Sequence, residues 1–149
     1  MSTERFDIVV VGSGPAGQKA AIQAVKAGRT VALLEREAAI GGNCVHRGTI
    51  PSKTLRAAAL RATTPPLDGS EIAPDIEVRS LTSQLESVVG AHAAYMHRQM
   101  RRNGVAYLHG RARFVSPHEV VLRSLDGSMR TLSADLIVIA TGSRPREPH

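Results

Sequence analysis

Six residues, Gly12-Ser13-Gly14-Pro15-Ala16-Gly17, constrain this chain more than any others. They follow an apolar, β-branched run, Phe6 to Val11, which reads as a buried parallel strand. After them, Gln18 to Ala27 carries Ala20, Ala21, Ala24 and Val25 at helical spacing, and Gly28 is a natural stop. Thr30 to Leu34 predicts a second strand, ending at Glu35. Strand, glycine turn, helix and strand within about thirty residues make a βαβ unit.

In that context a G-x-G-x-x-G run has a mechanical meaning. Gly12 permits the tight turn, Gly14 lets the backbone approach a pyrophosphate, and Gly17 lets the helix pack closely on the strand. The start of the helix offers N–H groups and the positive end of its dipole to phosphates. Glu35, eighteen positions after Gly17, can accept bonds from a ribose hydroxyl pair and would repel a 2′-phosphate. The expectation is a site for a dinucleotide other than NADP.

Beyond Glu35, residues 36–50 read as a loop containing Gly41-Gly42, Cys44 and Gly48. Pro51 suits the first position of a helix running to about Ala62. Thr63 to Asp75, with Pro65, Pro66, Gly69 and Pro74, reads as a loop. A long helix is expected from about Leu81 to Arg102, with Leu81, Leu85, Val88, Val89, His92, Met96 and Met100 as its stripe and Asn103-Gly104 as its close. Strands follow at Val105–Leu108, Ala112–Val115, Val120–Arg123, Met129–Leu132 and Leu136–Ala140, the last read as buried, with Asp126-Gly127 as a hairpin turn.

Composition narrows the class. A chain of 149 residues, 42% hydrophobic and 21% charged, suits one globular domain. A single cysteine, Cys44, excludes an internal disulfide framework and fits a reducing cytoplasm. The N-terminal apolar run is too short and too acidic for a signal peptide. No run approaches the roughly 20 apolar residues that span a bilayer, so a soluble cytoplasmic protein with no membrane partner is expected. The net charge of +6 comes with scattered arginines rather than a dense basic stripe, which argues against a nucleic-acid partner. His46 lies near Cys44, but two further ligands at usable spacing are missing, so no metal site is expected. By base expectation Cys44 is a small buried hydrophobe rather than a reactive thiol.

The stretch Gly41-Gly42-Asn43-Cys44-Val45-His46-Arg47-Gly48-Thr49-Ile50-Pro51-Ser52-Lys53 resembles the signature of the FAD-dependent pyridine nucleotide-disulfide oxidoreductase family. Ala140-Thr141-Gly142, ending a late strand, is similar to that family's second FAD motif. The resemblance covers essentially the whole chain. It implies an α/β fold: a Rossmann-like FAD-binding domain with a parallel sheet and a small antiparallel β meander, incomplete relative to the family. Residues 1–149 would be its N-terminal segment, with the nicotinamide-binding and dimerisation domains absent.

Where the family carries its second redox cysteine, this chain has Thr49. One thiol cannot form the intramolecular disulfide that passes electrons to a disulfide substrate. The stretch Gly48 to Arg56 is similar to the soluble pyridine nucleotide transhydrogenase branch, which moves hydride from NADPH to NAD through the flavin alone. On this resemblance, Gly12, Ser13, Gly14, Pro15, Ala16 and Gly17 surround the FAD pyrophosphate. Glu35 and Arg36 serve the adenosine, and Gly41, Gly42, Asn43, Cys44 and Thr49 lie along the cofactor. Lys53 stands beside the flavin as the catalytic cation, Arg111 and Ala112 meet the adenine, and Ala140, Thr141 and Gly142 close over it.

The cofactor implied is FAD, and NAD(P)H is the substrate of a full-length, homodimeric parent. The chain alone is expected to be inactive. Two other readings stay open: a related flavin-dependent NAD(P)H reductase, dihydrolipoamide dehydrogenase-like or with a quinone or metal-ion acceptor, and a non-catalytic FAD-binding fragment.

Overall fold

The computed structural model describes residues 3–64, 78–143 and 146–147. Four parallel strands form its centre. β1 (Thr3–Val11) lies between β2 (Val31–Glu35) and β6 (Met129–Ile139), and β3 (Ala106–His109) flanks β2. β4 (Arg111–Ser116) and β5 (Glu119–Arg123) extend the sheet beyond β6 as an antiparallel meander, giving the order β3-β2-β1-β6-β5-β4. The chain leaves β1 toward β2 and later returns on its other side as β6. That reversal sits at the C-terminal end of β1, the place where open α/β sheets bind ligands.

Alternation along the strands sorts the core onto two faces. Val10, Val31 and Leu33 point to one face, packed with Ala21 of α1 (Pro15–Lys26) and with Met96 and Met100 of α4 (Val78–Arg102). Val9, Ala32 and Leu34 point to the other, where Val120, Leu122, Leu132 and Ala134 cover them. The meander therefore supplies the second layer that a parallel sheet needs on both faces.

Several sequence boundaries shift. α1 begins at Pro15, three residues before Gln18, because Pro15 occupies N1, where its missing N–H costs nothing. The 36–50 stretch is not all loop. Gly41 and Gly42 turn with φ of +128° and +64°, and α2 (Gly42–His46) follows at once. α3 (Thr49–Thr63) starts two residues before Pro51, which sits in the first turn, where its N–H would have no partner in any case.

The two strands expected at Met129–Leu132 and Leu136–Ala140 are one. Ser133-Ala134-Asp135 contains no glycine or proline to break it, and Asp135 faces outward to pair with Arg5 at 2.7 Å. Nor is the second half of that strand buried. β5 pairs only with Met129–Ser133, so β6 beyond that point has a single sheet neighbour among the described residues, and Leu136 and Ile139 are 55% and 67% exposed. In α4 the inward residues are Leu85, Val89, Ala93, Met96 and Met100, whereas Val88 and His92 are exposed. The side chain of Leu81, most of the proline-rich 63–75 stretch, and Arg144, Pro145 and Pro148 lie outside the described residues.

Candidate functional site

Three stretches far apart in sequence meet at the C-terminal end of β1. Gly12, with φ +106°, crosses the end of β6 so closely that a Cβ there would stand 2.3 Å from the Ala140 carbonyl oxygen. A Cβ on Gly17 would stand 1.8 Å from the Gly12 oxygen, which is why α1 can lie against the turn only with glycine at that position. On the far side, a Cβ on Gly42 would reach 3.0 Å from Gly14 Cα. Asn43 Nδ2 donates to the Ser143 carbonyl at 2.5 Å and ties α2 to the segment after β6. Thr141 and Gly142 are exposed on that segment.

Ser13 joins these stretches. It is fully buried, and its N–H and hydroxyl both donate to Glu35 Oε2, at 2.9 and 2.6 Å. Its oxygen also accepts the Gly41 N–H at 3.1 Å. The Gln18 side-chain amide donates to the Ser13 carbonyl at 2.7 Å, and no sequence signal marks that bond. Glu35 Oε1 accepts the Glu37 N–H at 2.8 Å. Burial is the largest influence on the Glu35 carboxyl and raises its pKa, but the bonds from Glu37, Ser13 and Arg36 together hold it below the usual carboxylate value. Glu35 is thus an ionised carboxylate that organises the glycine turn.

The neighbouring strand adds two polar atoms. Tyr107 OH and His109 Nε2 are buried and have no partner among the described residues, and Tyr107 is pushed up to about 12 by burial and then by the Glu35 charge. The Tyr107 ring meets His97 of α4 edge-on at 4.7 Å. Gly110 N–H donates to the Glu35 carbonyl at 2.8 Å, so Arg111 and Ala112 start β4 beside the end of β2.

The start of α1 lies open. Gly14 is its N-cap, no side chain caps it, and its first turn has no acidic residue. Gln18 makes the first bond back, to Gly14, which leaves the Ala16 and Gly17 N–H groups available. A Cβ on Gly14 would meet nothing within 4 Å. Uncapped donors, a positive dipole end and empty space fit a pyrophosphate, so the residues present fit FAD.

α2 and α3 carry the other predicted residues. Cys44 is exposed, contrary to the buried reading, because α2 is a single turn whose inward residue is Val45. Thr49 and Lys53 are exposed and four residues apart in α3, hence on one face. None of the three has a side-chain hydrogen bond or ion pair within the described residues. His46 Nε2 lies 2.9 Å from the Ile40 carbonyl, and no group of metal-ligating side chains occurs among the described residues. No helix among them is long and apolar enough to cross a membrane.

With this geometry in place, residues 6–149 match the family model of the pyridine nucleotide-disulphide oxidoreductases, and the chain belongs to that family. It is 42% identical over 151 aligned positions to the soluble pyridine nucleotide transhydrogenase of Mycobacterium tuberculosis, and 39% identical over 147 to that of Vibrio cholerae. Each alignment covers 96% of this chain and 32% of the relative, so the chain spans about a third of the length of the proteins it matches. A solved structure, the Cu(II) complex of an HOCl-induced flavoprotein disulfide reductase from Escherichia coli, superposes with a TM-score of 0.82 at 25% identity. It covers 99% of this chain and 30% of that one. FAD is the cofactor that goes with this family and these neighbours.

Proposed function

We propose that this chain is the FAD-binding part of a flavoprotein that transfers hydride between NADPH and NAD. The observation that carries the reading is the meeting of the glycine turn, the Gly41–Cys44 stretch and the Ala140–Ser143 segment around the uncapped start of α1. In this reading the Ala16 and Gly17 N–H groups hold the FAD pyrophosphate over Gly14. Glu35 takes a ribose hydroxyl, and the backbone of Gly110 to Ala112 meets the adenine. Cys44, Thr49 and Lys53 present one exposed thiol, one hydroxyl and one ammonium along the flavin end. Lys53 would favour negative charge developing on its neighbour. Bound flavin supplies a two-electron store between the two nicotinamides.

Thr49 separates this reading from disulfide reduction. A hydroxyl four residues from Lys53 can donate a hydrogen bond but cannot join Cys44 in a disulfide. Residues 1–149 are read as one segment of the FAD domain, and the nicotinamide site and the dimer contacts belong to the rest of a full-length parent. The test is hydride transfer from NADPH to an NAD analogue by that parent. Transfer without added thiol is expected. Efficient lipoamide or glutathione reduction with no such transfer would sink the assignment.

A further inference from the structure

Gln18 follows the glycine turn directly and folds its side chain back over it. Its amide Nε2 donates to the Ser13 carbonyl at 2.7 Å and to Met96 Sδ of α4 at 3.0 Å, so both of its N–H groups are engaged. The Ser13 carbonyl depends on that partner. Pro15 biases the residue before it away from helical backbone, and Gly14 is extended, with ψ 178°. Helical bonding therefore begins at the Gly14 carbonyl, which accepts the Gln18 N–H at 3.0 Å, and the buried Ser13 carbonyl stays outside the helix ladder. Met96 is itself buried and also closes on Gly41, where a Cβ would stand 2.8 Å from its methyl carbon. One thioether of α4 thus braces both glycine turns, and Gln18 carries the brace to Ser13.

We infer that Gln18 is a positioning residue for the cofactor phosphates: by holding the Ser13 carbonyl it sets the plane of the Ser13–Gly14 peptide, and so the direction of the Gly14 N–H. The inference rests on the FAD reading given above. In a trans peptide the carbonyl and the following N–H point opposite ways, and this peptide is trans. With the carbonyl drawn to Gln18, the Gly14 N–H is turned to the other side, where it has no hydrogen-bond partner among the described residues. It becomes a third donor beside the Ala16 and Gly17 N–H groups. Glu35 holds the Ser13 N–H and hydroxyl, which fixes the peptide before Ser13; among the described residues Gln18 alone holds the carbonyl of the peptide after it. Donors whose directions are set in advance bind a phosphate without the ordering cost of a loose turn. A glutamine that merely satisfied a buried carbonyl would act on stability and leave affinity untouched.

FAD titrations into the wild-type chain and three variants, followed by flavin fluorescence with folding checked by circular dichroism, test the inference. Gln18→Met keeps the length and helix propensity of the side chain and removes the donor. Gln23→Met, at an exposed position of α1, is the control. Gln18→Met should bind FAD roughly tenfold more weakly or worse, the loss expected for one charge-assisted bond, and Gln23→Met should bind like the wild type. The phosphorus NMR resonances of FAD held at saturation should also move in Gln18→Met, which a loss of stability alone would not cause. Met96→Leu keeps the bulk, removes the sulfur that anchors the amide, and should weaken FAD by a smaller factor. A folded Gln18→Met with wild-type affinity, or an equal loss in Gln23→Met, overturns the inference and leaves the FAD reading standing. If Gln18→Met does not fold, Met96→Leu decides, and wild-type affinity there overturns it. A folded wild type that binds no FAD overturns the FAD reading and this inference with it.

Discussion

Glu35 does two things that a ribose-binding carboxylate need not do: it is almost fully buried, and its first partners are protein. Its position after the second strand was legible from the distance to Gly17. Its bonds to Ser13 were not, because serine in a glycine-rich turn is chemically ordinary. The consequence is a pH dependence of stability. The folded pKa lies below the ordinary carboxyl value of 4.5, so the ionised group stabilises the fold above that value. The contribution falls away as pH drops through the folded pKa. Glu35→Gln should therefore lower the melting temperature at pH 7, and the gap from the wild type should close on acidification below 4.5. Thermal melts of both proteins from pH 7 down to pH 3 measure this, and a gap that ignores pH would show that the carboxylate's charge is irrelevant to the fold. Cys44 taught the opposite lesson. Its exposure follows from the single-turn helix that carries it, and Gly41-Gly42 looked like loop because two glycines rarely announce a helix start.

At the scale of elements, α1 and the meander hold the two faces of the sheet. α1 packs on the turn through Gly17, where added volume meets backbone rather than a yielding side chain. Gly17→Ala should cost about 2 kcal/mol or more, at the upper part of what overpacking does, and chemical denaturation would read it. On the other face Leu122 is 1% exposed, against Val9 and Leu34. Leu122→Ala should cost about 2–5 kcal/mol. A loss well under 1 kcal/mol would mean that the meander is a surface ornament rather than the second layer. The parallel strands were readable because their apolar runs are continuous, and β1 ends directly in a glycine turn. The merging of two expected strands into β6 was not, since the sign of a break, a polar Ser-Ala-Asp, is equally the sign of an exposed stretch held by an Arg5–Asp135 pair.

Across the whole molecule, the half of β6 that has β1 as its single sheet neighbour among the described residues is the feature with most consequence for handling the protein. Its open edge carries Leu136 and Ile139 on its exposed surface, the combination that promotes edge-to-edge association. Ile139→Lys should reduce self-association of this chain, seen as a smaller weight-average mass by light scattering at matched concentration. No change would place the sticky surface elsewhere. The family and the cofactor were legible from two motifs, because phosphate binding by a helix start demands glycine at fixed positions. The placement of Arg111 opposite Arg123 was invisible, because it depends on strand register, which brings together side chains that composition shows only as scattered charge.

The central claim is that the turn from Gly12 to Gly17 holds a dinucleotide, and Gly14 tests it without disturbing the fold. Its φ is −66°, a value any residue adopts, and a Cβ there meets nothing within 4 Å among the described residues. A side chain at Gly14 would instead fill the space where the backbone approaches a pyrophosphate. FAD is titrated into the wild-type chain and into Gly14→Val, with binding followed by quenching of flavin fluorescence and folding by circular dichroism. The account predicts saturable binding of one FAD by the wild type, and a folded Gly14→Val chain that leaves the flavin free. A folded Gly14→Val that binds FAD as tightly as the wild type, or a folded wild type that binds none, would contradict it.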